Sequence, residues 1–227
     1  MRLTKLAVQS RLRDFVFINY SQLGFASTSG ALAFAGGSLI PIVKDGGSSF
    51  LPRIGFLIAG FCITMISLTT WNARSIFCGS ARLSVGDALW PLAMGLANFV
   101  LFATLLPGSD PLVWQWFPLV AVFHGFFGFL LTRRRLKITC QDLDFESDLS
   151  DLKEMMIIEV KSDNSGTIIF MVVSMGFFIA IQLCQKYQTC WLPLVCSAIV
   201  LIYVLISIKI CHRAFGFLEK AEKLISD

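Results

Sequence analysis

The residues best equipped for chemistry crowd into one stretch of the chain. Asp142, Asp144, Glu146, Asp148, Asp151, Glu154, Glu159 and Asp163 place eight of the fifteen acidic residues between the basic RRRLK of 133–137 and an apolar run that starts at 167. Carboxylates at this density can ligate a cation, work as an acid–base pair, or present a negative face to a basic partner. A transition-metal set wants His or Cys beside the acids, and Cys140 alone is near. The partner reading has a second signal. Phe145, Leu149, Leu152, Met156 and Val160 recur at spacings of four, three, four and four, the period of a helix with one apolar face. Acidic residues toward its start suit the helix dipole. Asp144, Asp148, Asp151, Leu149, Leu152 and Met156 are therefore the candidate docking residues for a cytosolic protein partner; the alternative is a solvated helix tucked beneath the rest of the chain.

Other chemistry is sparse. The seven Cys (62, 78, 140, 184, 190, 196, 211) form no CxxC or Cys/His metal spacing; Cys184 and Cys190 alone are placed to pair in an oxidising compartment. No HExxH, GxSxG, P-loop or dinucleotide fingerprint is present. The chain is expected not to be an enzyme and to take no cofactor or metal. His124 is the one ionisable residue inside an apolar run, on a face with Ala121, Gly125 and Gly128. Small residues let another helix approach closely, so His124 should face protein. Ala26, Gly30, Ala33 and Gly37 make a similar face near the N-terminus, with Ser29 beside it. These two faces are the candidate helix-packing or homo-oligomer surfaces.

The elements that must position these residues follow from a charge map. Runs at 16–40, 54–72, 88–106, 112–132, 167–185 and 191–208 contain no Asp, Glu, Lys or Arg. Each is long enough to cross a hydrocarbon core of roughly 30 Å as a helix. The chain is 56% hydrophobic and 15% charged, against about 25% charged in soluble domains. A barrel would need alternating apolar and polar residues, which IIFMVVSMGFFIAI at 168–181 does not show. The fold class is thus all-α: a polytopic integral membrane helical bundle with six predicted transmembrane helices and the lipid bilayer as its first partner.

Basic residues orient it. With the N-terminus inside, sixteen Lys and Arg fall on the cytosolic side and only Lys44, Arg53 and Lys186 outside, the bias that insertion imposes. Both termini are expected to be cytosolic. The net charge of +4 then reflects topology, and no nucleic-acid binding is expected. All five Trp lie near span ends and read as an interfacial belt. Most Pro sit at span boundaries, whereas Pro118 reads as a kink within the fourth span.

The expected layout is a basic amphipathic segment (1–14), four spans (15–132), a charged cytosolic loop with an amphipathic helix (133–166), two spans (167–211) and a cytosolic amphipathic tail (212–227). This points to a non-catalytic multipass subunit that anchors or senses for a larger assembly, such as a bacterial defence, exclusion or secretion complex. The loop and tail would hold the partner. The alternative is an oligomeric channel or small-solute transporter. The compact external connections favour a bacterial inner membrane, with an endoplasmic-reticulum membrane as the alternative.

Overall fold

The computed structural model describes residues 2–3, 7, 23–45, 50–78, 95–106, 113–141, 144–145, 150–187 and 191–226. Its helices are α1 (Leu23–Asp45), α2 (Phe50–Cys78), α3 (residues 95–103), α4 (Phe117–Gln141), α5 (Ser150–Lys186) and α6 (Leu192–Ser226). A 3-10 turn, Val113–Trp116, leads into α4. Extended residues Arg2–Leu3 (β1) pair in parallel with Asp144–Phe145 (β2). Among the described residues, four helical stretches are long and apolar enough to cross a membrane: Phe50–Ser67, Val113–Leu130, Ser150–Lys186 and Leu192–Lys223.

Helix starts follow proline. Pro52, Pro118 and Pro193 each sit in the first turn of α2, α4 and α6, where the missing N–H would have no intrahelical partner anyway. Pro118 therefore opens α4 and does not kink it. Pro41, expected at a boundary, lies inside α1, which runs five residues beyond the span expected at 16–40.

Contacts between helices fix their directions. Phe56, early in α2, stacks on Trp114 and Phe117 with centroids 5.8 and 4.9 Å apart. Gly55 abuts Val200 early in α6, and Thr69 Oγ1 lies 3.3 Å from Cys211 Sγ late in both helices. Hence α2, α4 and α6 all begin at one end of the bundle, the Trp114 end. Helix α5 runs the other way: Trp116 meets Phe178, Gly125 meets Met171, and Thr132 meets Asn164. Because α2 finishes and α4 begins at opposite ends, the chain between Cys78 and Val113 must travel the bundle's length. Helix α3 forms part of that return, placing Phe102 against Gly60 of α2 and Phe99 against Gly30 of α1.

Aromatic rings fill the centre. Tyr203 is ringed by Phe117, Phe170 and Phe177 at 6.3, 5.7 and 5.5 Å, and its hydroxyl donates to Ser174 Oγ at 2.8 Å. A phenol so buried keeps its hydrogen bond because hydrocarbon offers no substitute. Trp114 belongs to this core and not to a headgroup belt: it is 3% exposed, held by its stack on Phe56. Trp116 and Trp191 are exposed as a belt requires, whereas the side chains of Trp71 and Trp90 lie outside the described residues.

Close packing at Gly125 supplies a test. A Cβ there would lie 2.7 Å from Met171 and 3.0 Å from Phe170, whereas nothing lies within 4 Å of one at Gly176. Gly125→Leu should lower the thermal midpoint in detergent, by the equivalent of about 1–3 kcal/mol of overpacking, and Gly176→Leu should not. Equal midpoints for the two variants would contradict the α4–α5 contact.

Candidate functional site

Helices α5 and α6 are 37 and 35 residues long, so at about 1.5 Å per residue each exceeds 50 Å, against a hydrocarbon core of roughly 30 Å. Their charge-free portions, 167–185 and 191–208, lie toward the Trp114 end. The excess, 150–166 of α5 and 209–226 of α6, projects from the opposite end, which we call the Arg213 end. The separate amphipathic helix expected in 133–166 is thus the first part of α5, and the expected boundary at 166/167 falls inside one continuous helix. Helix α5 starts at Ser150, whereas the apolar spacing implied a helix from Phe145; Phe145 is instead extended in β2, and residues 146–149 lie outside the described residues.

A polar clamp joins the two projections. Arg213 of α6 donates through Nε and an Nη to Glu159 Oε2 of α5, at 3.0 and 2.8 Å, and through its other Nη to Ser162 Oγ. The pair is partly solvated, so it contributes under about 1 kcal/mol and serves chiefly to set register. In these stretches α5 buries Leu152, Met156 and Val160, and α6 buries Ala214, Phe217 and Ala221, both at helical spacing. Nearby, Thr132 of α4 donates to Asn164 Oδ1 at 3.4 Å, so all three helices meet at this end.

The candidate docking residues separate into two groups. Leu152 and Met156 are 1% and 2% exposed; the fold itself uses them. Asp151 is exposed in the first turn of α5, where the dipole favours it. Asp144 is paired through its backbone with Arg2. Asp148 lies outside the described residues, as does the side chain of Leu149. Glu154, Ile158 and Lys161 of α5 and Phe215, Glu219, Lys220 and Glu222 of α6 complete an exposed surface that is charged with two apolar points.

The packing candidates also divide. Ala121 is in the core, Gly125 and Gly128 face α5, and His124 is buried with Nε2 3.0 Å from Ser67 Oγ of α2. That face is consumed within the chain. On α1, Gly30 meets Phe99, Ala33 and Gly37 are exposed, and the Ala26 side chain is not among those described. Cys62, Cys196 and Cys211 are thiols; Cys190, the partner expected for Cys184, lies outside the described residues. Among the described residues no three His, Cys, Asp or Glu side chains gather as metal ligands.

Two features escaped the sequence reading. In the sequence Arg213 is one of sixteen basic residues on the cytosolic side, and nothing in the spacing of Glu159 and Ser162 on α5 marks them as its partners. Arg53, assigned to an external loop, is 2% exposed in the first turn of α2. No protein-family model, curated protein or solved structure matches the chain.

The clamp and the apolar stripe should respond differently to truncation. Met156→Ala is expected to cost about 2–5 kcal/mol, and Arg213→Ala under about 1 kcal/mol, read by denaturant unfolding in micelles. A larger loss for Arg213→Ala would mean that the ion pair, and not burial, holds the projections together.

Proposed function

We propose that this protein is a non-catalytic membrane subunit that anchors or senses for a larger assembly by presenting a helical platform to a cytosolic protein. The carrying observation is the continuation of α5 and α6 beyond membrane length as two clamped helices, with Asp151 and Glu154 exposed at the start of α5. Each projection buries its own apolar stripe, so the platform is pre-organised and a partner that docks on it loses little freedom in ordering it. The Arg213 end faces the cytosol in this reading, because the basic residues concentrate on that side. The β1–β2 pairing supports it independently by drawing the N-terminus to the end where α4 finishes and α5 begins.

The same reading takes the chain as six spans, with α1 and the Cys78–Val113 segment crossing in addition to the four long apolar helices. The travel required between α2 and α4 supports this count. It places both termini in the cytosol, of a bacterial inner membrane in preference to the endoplasmic reticulum. Self-association, where it occurs, would use the exposed Ala33–Gly37 face of α1, since the α4 face is occupied.

A channel or transporter has weaker support. The hydroxyls of Thr64, Ser67, Thr69 and Ser207 donate to carbonyls of their own helices, and aromatic rings occupy the centre of a single copy.

Two measurements test the proposal. Reporters fused after residues 80, 150 and 227 should read cytosolic, and those after 47, 109 and 188 external. Reversing Asp144, Asp148 and Asp151 to Lys should cut recovery of the co-purified cytosolic partner by about tenfold, equivalent to about 1.4 kcal/mol, without altering abundance, and the attraction should weaken as salt is raised. Undiminished recovery from the triple variant would remove the acidic surface from the account.

A further inference from the structure

Four cations stand at one depth of the Arg213 end. Arg133 and Lys137 of α4, Lys161 of α5 and Lys209 of α6 are exposed, and among the described residues none of them takes part in an ion pair or hydrogen bond. Arg133 and Lys209 directly follow the charge-free runs 112–132 and 191–208. Lys137 lies five residues past the first of these, and Lys161 six residues before the run that opens at 167. At about 1.5 Å per residue, all four sit within roughly 9 Å of the apolar portion of their helices. The headgroup region of a bilayer adds roughly 5–8 Å on each side of the hydrocarbon, and the flexible stems of Lys and Arg reach back toward it. Contacts hold the three helices side by side here. Thr132, next to Arg133, reaches Asn164, and Arg213, one turn beyond Lys209, reaches Ser162, next to Lys161.

We infer that Arg133, Lys137, Lys161 and Lys209 form a collar that binds the anionic headgroups of phospholipids in the leaflet at the Arg213 end. Retention of basic residues during insertion accounts for their number but not for their sorting. The acids at the same depth are turned inward: Glu159 is held by Arg213, and Oδ2 of Asp163 is buried. The exposed acids Asp151, Glu154, Glu219 and Glu222 stand at least eleven residues beyond the runs, about 16 Å or more out and clear of the headgroups. A sheet of phosphates therefore meets cations without competing carboxylates. Each basic residue near an anionic surface is worth about fivefold in binding. Exposure on three separate helices fits a plane of headgroups better than one small anion. The inference rests on α4, α5 and α6 crossing the membrane and is independent of the docking surface, which lies further out.

Lipid binding to the full-length protein in maltoside micelles tests the collar. The protein is titrated with phosphatidylglycerol or phosphatidylcholine, and bound lipid is counted by native mass spectrometry. The wild type should bind phosphatidylglycerol about tenfold more tightly or better, and the preference should shrink as ammonium acetate is raised. Lys161→Gln and Lys209→Gln should each weaken phosphatidylglycerol binding about fivefold and leave phosphatidylcholine binding unchanged. Both variants keep the 133–137 cluster, and with it the topology signal, and a wild-type thermal midpoint checks their fold. Lys44→Gln and Lys186→Gln, exposed at the Trp114 end, should change neither lipid. Equal binding of the two lipids by the wild type, an undiminished preference in either collar variant, or an equal loss in Lys44→Gln and Lys186→Gln would overturn the collar. Displacement of phosphatidylglycerol by millimolar inorganic phosphate would overturn it too, by assigning the cations to a soluble anion.

Discussion

A backbone amide carried into hydrocarbon has no water to bond, and this constraint governs every level of the fold. It selects helices, and it makes side-chain hydroxyls turn back on their own backbone. Thr64, Ser67, Thr69 and Ser207 all do so. Polar groups that cannot bond back bridge helices: the His124 imidazole reaches Ser67, and the Tyr203 hydroxyl reaches Ser174. With lipid as apolar as leucine, association between helices rests on close packing. The glycines at 55, 60 and 125 admit Val200, Phe102 and the Phe170–Met171 pair respectively, and these contacts set the direction of each helix. Once α2, α4 and α6 are parallel, the long ends of α5 and α6 must emerge together at the Arg213 end.

The two ends then differ in chemistry. One is a solvated projection in which buried apolar stripes supply the stability and an ion pair sets register. The other is a compact aromatic corner with a buried guanidinium.

Composition and charge made the membrane class legible, since absence of charge over span-length runs needs no tertiary information. Of the apolar spacing at 145–160, the part from 152 marks a helical face, with Leu152, Met156 and Val160 buried, whereas Phe145 is extended and Leu149 lies outside the described residues. The spacing could not say what that face meets, because periodicity records only that an apolar surface is covered. The sequence likewise could not place Trp114. An indole near a span end has the same composition whether it reaches toward headgroups or stacks on Phe56. Arg53 was hidden for a related reason: a basic residue beside a span is counted as exposed until its neighbours are known. The continuity of α5 across residues 150–186 was masked by Asp163, Asn164, Ser165 and Gly166, which read as a loop but are held by bonds such as Thr167 Oγ1 to the Asp163 carbonyl at 2.7 Å.

That continuity is the central claim, and hydrogen–deuterium exchange on the protein in lipid nanodiscs measures it directly. Amides of 153–166 and 209–221 should exchange slowly, approaching the protection of the membrane-embedded portions, because one helix carries both regions and the projections are clamped by burial. Rapid exchange across 153–166, with protection beginning only near 167, would restore a flexible loop and contradict the account.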